Sequence, residues 1–260
     1  MTALQAFFRR TGPSAFEPTE HASGAWSEED HHFAPVAGLM VHMIECFRAE
    51  HAGADLQLGR ISFDILGRIP MQELEIDVEV LRPGRTIELV QATLSIGGRA
   101  VITARAWYLS HADTADVAAV ESAIIPSPDV CPEWNMGQGW PGGYIAQLQA
   151  RVAQRRPGRG TVWLCSPTQL VEGEQISQLA RFCTNIDGAN GIAARQEPGT
   201  WAFPNVDLTV HLHRLPTGSW TGLDTAVTWG ADGVGLTSST LHDETGPVGR
   251  AEQILTLRRL

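Results

Sequence analysis

Gly98-Arg99-Ala100-Val-Ile-Thr-Ala-Arg-Ala-Trp-Tyr-Leu109 and Gly249-Arg250-Ala251-Glu-Gln-Ile-Leu-Thr-Leu-Arg-Arg-Leu260 open on the same tripeptide and continue as extended stretches. They lie about 150 residues apart in a chain of 260, an offset that indicates a duplicated domain and not a short-period solenoid. Upstream, Arg60-Ile-Ser-Phe-Asp-Ile-Leu-Gly-Arg68 has a partner in Val206-Asp-Leu-Thr-Val-His-Leu-His-Arg214. Each is extended, ends in Arg and is followed by a turn with proline, Pro70 or Pro216. Duplication lets one copy keep a chemistry while the other drifts, so a site is expected in one half only.

Between these anchors the residues alternate between two periods. Phe33, Val36, Leu39, Met40, Met43, Ile44 and Phe47 recur at helical spacing and predict a helix from Asp30–His32 that fades by Gly53. A strand over Phe16–Trp26 precedes it. Strands over Gly59–Ile69, Leu74–Leu81, Thr86–Ile96 and Arg99–Tyr108 follow, with turns at Arg-Pro-Gly 82–84 and Gly-Gly 97–98. Residues 111–139 are rich in Ala, Asp, Ser and Pro and read as a linker between a first unit, 1–110, and a second, 140–260. The second unit restarts with Tyr144–Val152 and Thr161–Cys165. Ile176, Leu179, Ala180, Cys183 and Ile186 predict its helix over 176–188, closed by Gly188 and Gly191. Strands over Trp201–Leu212, Trp220–Trp229, Gly235–His242 and Arg250–Leu257 complete it. The expected fold class is α+β: two antiparallel sheets, each wrapped around a central helix.

Composition narrows the function. A net charge of −10, with the acids scattered, argues against nucleic acid or an anionic membrane as the main partner. The four cysteines at 46, 131, 165 and 183 form no CxxC pair and read as free thiols of a reducing compartment. The stretch Met1-Thr-Ala-Leu-Gln-Ala-Phe-Phe-Arg-Arg10 is too short and wrongly ordered for a signal peptide, and no apolar run reaches membrane-spanning length. A cytoplasmic location is therefore expected. Fused units with remaining edge strands predict a homo-oligomer.

The order strand, helix, strand meander resembles a hotdog domain, and two in one chain resemble the double-hotdog acyl-CoA thioesterases of the bacterial thioesterase II type. The match is strongest over Val206-Asp207-Leu-Thr-Val-His-Leu-His213-Arg214: an Asp, five residues, then His-Arg. Trp220 and Thr228 fall at family-like spacing, the last strand brings Gln253 a residue or so off that spacing, and Pro204 to Pro216 looks typical of a wider thioesterase-like branch. The resemblance implies hydrolysis of an acyl-CoA or other acyl thioester in lipid metabolism, with no metal or other cofactor. Asp207, Thr228 and Gln253 would be the catalytic set. A carboxylate takes the proton of a water aimed at the thioester carbonyl, and a hydroxyl and an amide hold that water. A helix amino-terminus would supply N–H donors to the oxyanion.

Each candidate has a structural reading beside the functional one. Asp207 alternates with apolar Leu208, Val210 and Leu212 on what reads as a solvated face; its repeat counterpart is Ile61. Gln253 shares a face with Ala251, Leu255 and Leu257, where an amide needs partners; its counterpart is Ile102. Thr228 is ordinary strand composition. Asp187 either closes the second helix with Gly188, Asn190 and Gly191 or meets substrate. His31 and His32 stand at the first helix start, as caps or as substrate contacts. His32, Gly38, Asp187 and Asn190 are taken as substrate-binding. Nine histidines include His211 and His213 on one strand face, but no metal-ligand spacing on a helix emerges. No Gly-x-Ser-x-Gly elbow marks a serine hydrolase, and Gly137, Gly139, Gly142 and Gly143 precede no helix that would make a phosphate loop. The family's Gly-Gly-Gln helix entry is replaced here by His31-His32-Phe33-Ala34-Pro35-Val36-Ala37-Gly38. That departure leaves a second reading, a non-catalytic acyl-binding or assembly module with a degenerate oxyanion hole. A hotdog hydratase is third, without the Asp and His it needs on one helix-entry loop.

Overall fold

The computed structural model describes residues 5–51 and 55–260; the expected fading of the first helix by Gly53 and the reading of residues 1–4 lie outside them. The first half opens with a hairpin, β1 (Ala6–Arg10) and β2 (Ala15–Pro18), which buries Phe7, Phe8 and Phe16. The single strand expected over Phe16–Trp26 stops at Pro18, because Thr19 turns the chain by accepting the His21 N–H on its side chain. Helix α1 (Phe33–Glu50) follows, then β3 (Leu56–Ile65), β4 (Leu74–Arg82), β5 (Ile87–Ile96) and β6 (Arg99–Ser110). Gly97 and Gly98, both at positive φ, make the tight β5–β6 turn that a side chain would strain.

The stretch read as a linker ends in structure: β7 (Glu133–Trp134) pairs with β8 (Gln149–Arg156). The short α2 (Gly143–Ala146) takes the place of the first residues expected as strand, after Gly142 bends the chain at φ 108°. Next come β9 (Arg159–Cys165), β10 (Gln169–Val171), α3 (Gln178–Ile186) and α4 (Ala189–Ile192). Helix α3 starts two residues later than the spacing predicts, because Ser177 caps it by accepting the Ala180 N–H. The strand expected over Trp201–Leu212 is broken around Pro204, which cannot donate to a ladder, into β11 (Trp201–Ala202) and β12 (Asp207–Leu212). β13 (Thr221–Trp229), β14 (Val234–Asp243), β15 (Gly246–Thr256) and β16 (Arg258–Arg259) close the chain.

The halves do not keep separate sheets. Among the described residues, fourteen strands form one sheet in the order β10-β1-β2-β4-β5-β6-β3-β12-β15-β14-β13-β9-β8-β7. This corrects the expectation of two sheets. The junction is the antiparallel pair β3–β12, with Leu208 opposite Phe63 and Val210 opposite Ile61. All four side chains are buried, so pairing them removes two edges and two apolar rows from water together. β10 crosses over to pair in parallel with β1 of the first half.

Helices α1 and α3 pack against each other and run antiparallel. Ser177 Oγ donates to Glu45 near one end at 2.6 Å, and His32 and Asp187 meet at the other. Between them Gly38 lets the backbones close. A Cβ there would stand 2.3 Å from Thr184 Cγ2 and 3.0 Å from the Ala180 carbonyl. Gly38→Ala is therefore expected to destabilise the fold by about 1–3 kcal/mol through overpacking. Denaturant unfolding measures this; an unchanged midpoint would show that the helices can part without cost.

Candidate active site

The antiparallel crossing brings the start of one helix to the end of the other. His32 is the N-cap of α1, and its Nδ1 accepts the Ala34 N–H at 3.1 Å. Burial holds its imidazole far down, at about 3, so the ring is neutral. With Nδ1 used as an acceptor, the ring proton sits on Nε2. Asp187 is the C-cap of α3 and is almost wholly buried. Its Oδ1 accepts from Gln253 Nε2 and from Asn205 Nδ2, each at 2.9 Å. Its Oδ2 lies 3.5 Å from His32 Nδ1. That approach is no ion pair, because the ring is neutral and Nδ1 already has its donor. Burial raises the Asp187 carboxyl to about 6, against the opposing pull of Asn205 and Gln253.

One oxygen of this carboxylate is thus anchored and the other open. Asn205 is anchored too: Nδ2 also donates to the Asp207 carbonyl at 3.0 Å. Gln253 is buried in β15, and its Oε1 has no partner among the described residues. An unpaired amide oxygen in such a place calls for a donor.

Asp187, His32, Phe33, Asn190 and Asn205 line a cleft of about 660 Å³. Met136, Trp140, Ile145 and the partly exposed Trp26 form its apolar wall. Trp26 meets Trp140 and Phe203 edge-on, with ring centroids 5.1 and 5.0 Å apart. Trp140 Nε1 donates to the Gly191 carbonyl at 3.2 Å, which ties that wall to the segment after Asp187.

The first turn of α1 has few donors left. The His32 N–H goes to the Ala22 carbonyl at 2.8 Å, Ala34 donates to His32, and Pro35 has no N–H. Phe33 N–H remains, without an acceptor among the described residues, at the positive end of an 18-residue helix. His31 also borders the cleft, but its ring stacks on Phe8, its Nε2 lies 3.5 Å from the Gln72 carbonyl, and burial lowers it to about 4.

Of the three residues assigned the catalytic role, the structure brings only Gln253 to this cluster. Asp207 starts β12, and its Oδ1 accepts the Ile254 N–H at 2.6 Å, standing in for a ladder bond between β12 and β15. Its carboxylate is spent on the sheet, and only its backbone carbonyl touches the site, through Asn205. Thr228 is exposed on β13 opposite Leu236 and lies outside the cleft. Of the four residues assigned to substrate, His32, Asp187 and Asn190 line the cleft and Gly38 does not: it serves the helix crossing. The Arg of the motif is structural. Arg214 binds Asp243 Oδ1 at 2.7 Å and the carbonyls of Gly246 and Pro247 at 3.0 and 3.1 Å, pinning the β14–β15 turn. Burial alone would raise the Asp243 carboxyl, but Arg214, Thr245 and Thr217 hold it well below the usual range. Spacing marks Phe33 only as part of the apolar stripe of α1, and it singles out none of Asn205, Trp26 and Trp140. Asn205 stands inside the Pro204–Pro216 phrase, where an amide beside a strand start was the available signal.

Comparison with known proteins now bears on this geometry. Residues 22–109 match the family model of the acyl-CoA thioesterase N-terminal domain, and residues 128–257 match that of the acyl-CoA thioesterase C-terminal domain. The chain belongs to the acyl-CoA thioesterase family. No curated protein matches it in sequence. Among solved structures, it is similar to a conserved protein of unknown function with a hot dog fold from Alicyclobacillus acidocaldarius. That pair shares 12% identity over 96% of this chain and 95% of the other, with a TM-score of 0.75. It is also similar to the tesB protein of Mycobacterium avium subsp. paratuberculosis, at 16% identity over 96% and 95% of the two chains and a TM-score of 0.67. The acyl-CoA thioesterase II TesB2 of Mycobacterium marinum matches at 12% identity over 97% and 95%, with a TM-score of 0.66. At these identities the likeness is one of fold. For this family member, no described helix is long and apolar enough to cross a membrane, and no group of described His, Cys, Asp or Glu could hold a metal ion.

The cluster makes a prediction that needs no substrate. Asn205 and Gln253 both favour the ionised form of Asp187. Asn205→Ala should move its titration upward from about 6, since the anion loses a donor. Carboxyl carbon shifts followed against pH measure this directly. A downward or absent shift would mean that Asn205 does not hold the carboxylate.

Proposed function

We propose that this chain hydrolyses an acyl thioester, with an acyl-CoA as the substrate class, by direct attack of water. The observation that carries the reading is the buried Asp187 carboxylate, tied at Oδ1 and open at Oδ2 toward the cleft. A carboxyl raised to about 6 is largely ionised near neutrality yet a far better proton acceptor than an exposed Asp. In this reading a water sits in the cleft on Asp187 Oδ2. It directs one hydrogen to that oxygen and a lone pair at the thioester carbon, while Gln253, buried behind the carboxylate, holds Oδ1. Attack passes the water's proton to Asp187. The oxyanion accepts from the Phe33 N–H at the positive end of α1. Collapse expels the thiolate, which recovers the proton from Asp187, and a carboxylic acid is the other product. The acyl group points to the Trp26–Trp140 wall, the apolar side of the cleft. Asp187 thus takes the role that the resemblance gave to Asp207, and Asn205 the positioning role given to Thr228.

One observation favours the binding-module reading: α1 offers a single open N–H where a glycine-rich turn would offer more. Thiol release from a panel of acyl-CoAs separates the two. Asp187→Asn should lower kcat by at least about a hundredfold, because the base is lost while the shape is kept. Asp207→Asn and Thr228→Ala should stay within about threefold of the parent. Full activity in Asp187→Asn, or no turnover of any acyl-CoA by the parent protein, would leave the binding module as the better account.

A further inference from the structure

A second cavity, of about 580 Å³, opens beside the cleft and shares Gly67 and Arg68 with it. Its wall is built from the end of β3, the chain leading to β4, and the β5–β6 turn: Leu66, Arg68, Gln72, Ile96, Arg99 and Val101. Building on the thioesterase reading, we propose that this cavity binds the phosphorylated nucleotide end of a coenzyme A-type carrier, with Arg99 as its main phosphate contact and Arg68 at the threshold.

The two cavities differ in character. Both carry two arginines, Arg68 with Arg258 in the cleft and Arg68 with Arg99 in the second cavity, whose wall also holds Glu29; but the cleft has Trp26, Trp140, Met136 and Ile145 and suits an acyl group, whereas the second cavity has no aromatic side chain. A thioester bridging them would lay its carbonyl at Asp187 and run its polar arm past Gly67, around whose Cα the space is open, and beside Arg68. The chain contains no lysine, so every phosphate contact from a side-chain cation falls to arginine. Guanidinium suits that task through its planar, two-pronged donors.

Arg68 is partly committed. Its Nε donates to Asp30 Oδ2 at 2.9 Å, and Nη2 lies 3.8 Å from Glu29. Arg99 has no hydrogen-bonded or ionic side-chain partner among the described residues. It sits at the first position of β6, exposed and held in place by the Gly97–Gly98 turn. In a chain of net charge −10, an uncommitted cation beside a cavity is a local attractor for an anion that the rest of the surface repels. Arg250 supplies a control: it is also exposed, as the fifth residue of β15, but borders neither cavity.

Calorimetry with adenosine 3′,5′-bisphosphate tests the site without turnover. The parent protein and Arg250→Ala are expected to bind it, Arg99→Ala at least tenfold more weakly, and adenosine lacking phosphates should not bind. Absence of binding to the parent, equal binding by Arg99→Ala, or equal binding of adenosine would overturn the proposal. In kinetics, Arg99→Ala should raise KM for hexanoyl-CoA with kcat unchanged, and leave hydrolysis of S-hexanoyl-pantetheine as it was. A KM unchanged for hexanoyl-CoA, or raised equally for both esters, would count against it. If the parent protein cleaves neither ester, the hydrolase reading fails, and the calorimetry still decides whether the cavity takes the nucleotide.

Discussion

The close approach of α1 and α3 at Gly38 governs the rest of the molecule. Their antiparallel run sets the N-terminal end of one helix beside the C-cap of the other. The positive end of α1 and the Asp187 carboxylate are brought together by helix packing, not by a loop that could wander. Neither half contains the site alone. The open N–H comes from the first half, and the carboxylate with its two amide donors from the second.

The sheet keeps that crossing in register. Pairing β3 with β12 makes one surface of two, and the buried row of Ile61, Phe63, Leu208 and Val210 runs across the junction under the helices. β12 also leads in from Asn205, and its other neighbour β15 carries Gln253. The strand that joins the halves therefore also delivers the groups that hold Asp187. The Asp207 carboxylate, which takes the Ile254 N–H, fixes β15 at that point and so steadies Gln253 next to it.

The architecture was legible because it is written in periodicity. The Phe33–Phe47 stripe became α1, and most strands lie close to where alternation put them, but the paired Gly-Arg-Ala segments do not hold equivalent places: Arg99 opens β6, whereas Arg250 is the fifth residue of β15. The joining of the sheets was not legible, since alternation says which face a residue takes and not which strand lies beside it. The site was legible in part for the same reason. Gln253 stood out as an amide among Ala251, Leu255 and Leu257, and burial on that face is what turns it toward Asp187. Asp207 and Asp187 were harder to rank. Asp207 stood in the motif, but whether a carboxylate at a strand start points to a cleft or back to its own ladder depends on its neighbour strand. Asp187 looked like a helix end because it is one. Only the approach of His32, Asn205 and Gln253, from three separate segments, makes it more.

A carboxyl buried to titrate at about 6 ties the conformational stability of the protein to the ionisation of Asp187. The unfolded chain releases that proton near 3.9, so between the two values the folded chain holds more protons than the unfolded one. As pH rises through this window the fold loses stability, by roughly 3 kcal/mol for a shift of about two units from this group alone. At this one group the charged form is the less favourable one in the fold. Acidification does not therefore strengthen the protein as a whole: the buried neutral rings of His31 and His32, held at about 4 and 3, are protonated in the unfolded chain first, so their contribution to stability falls as pH drops below about 6.5.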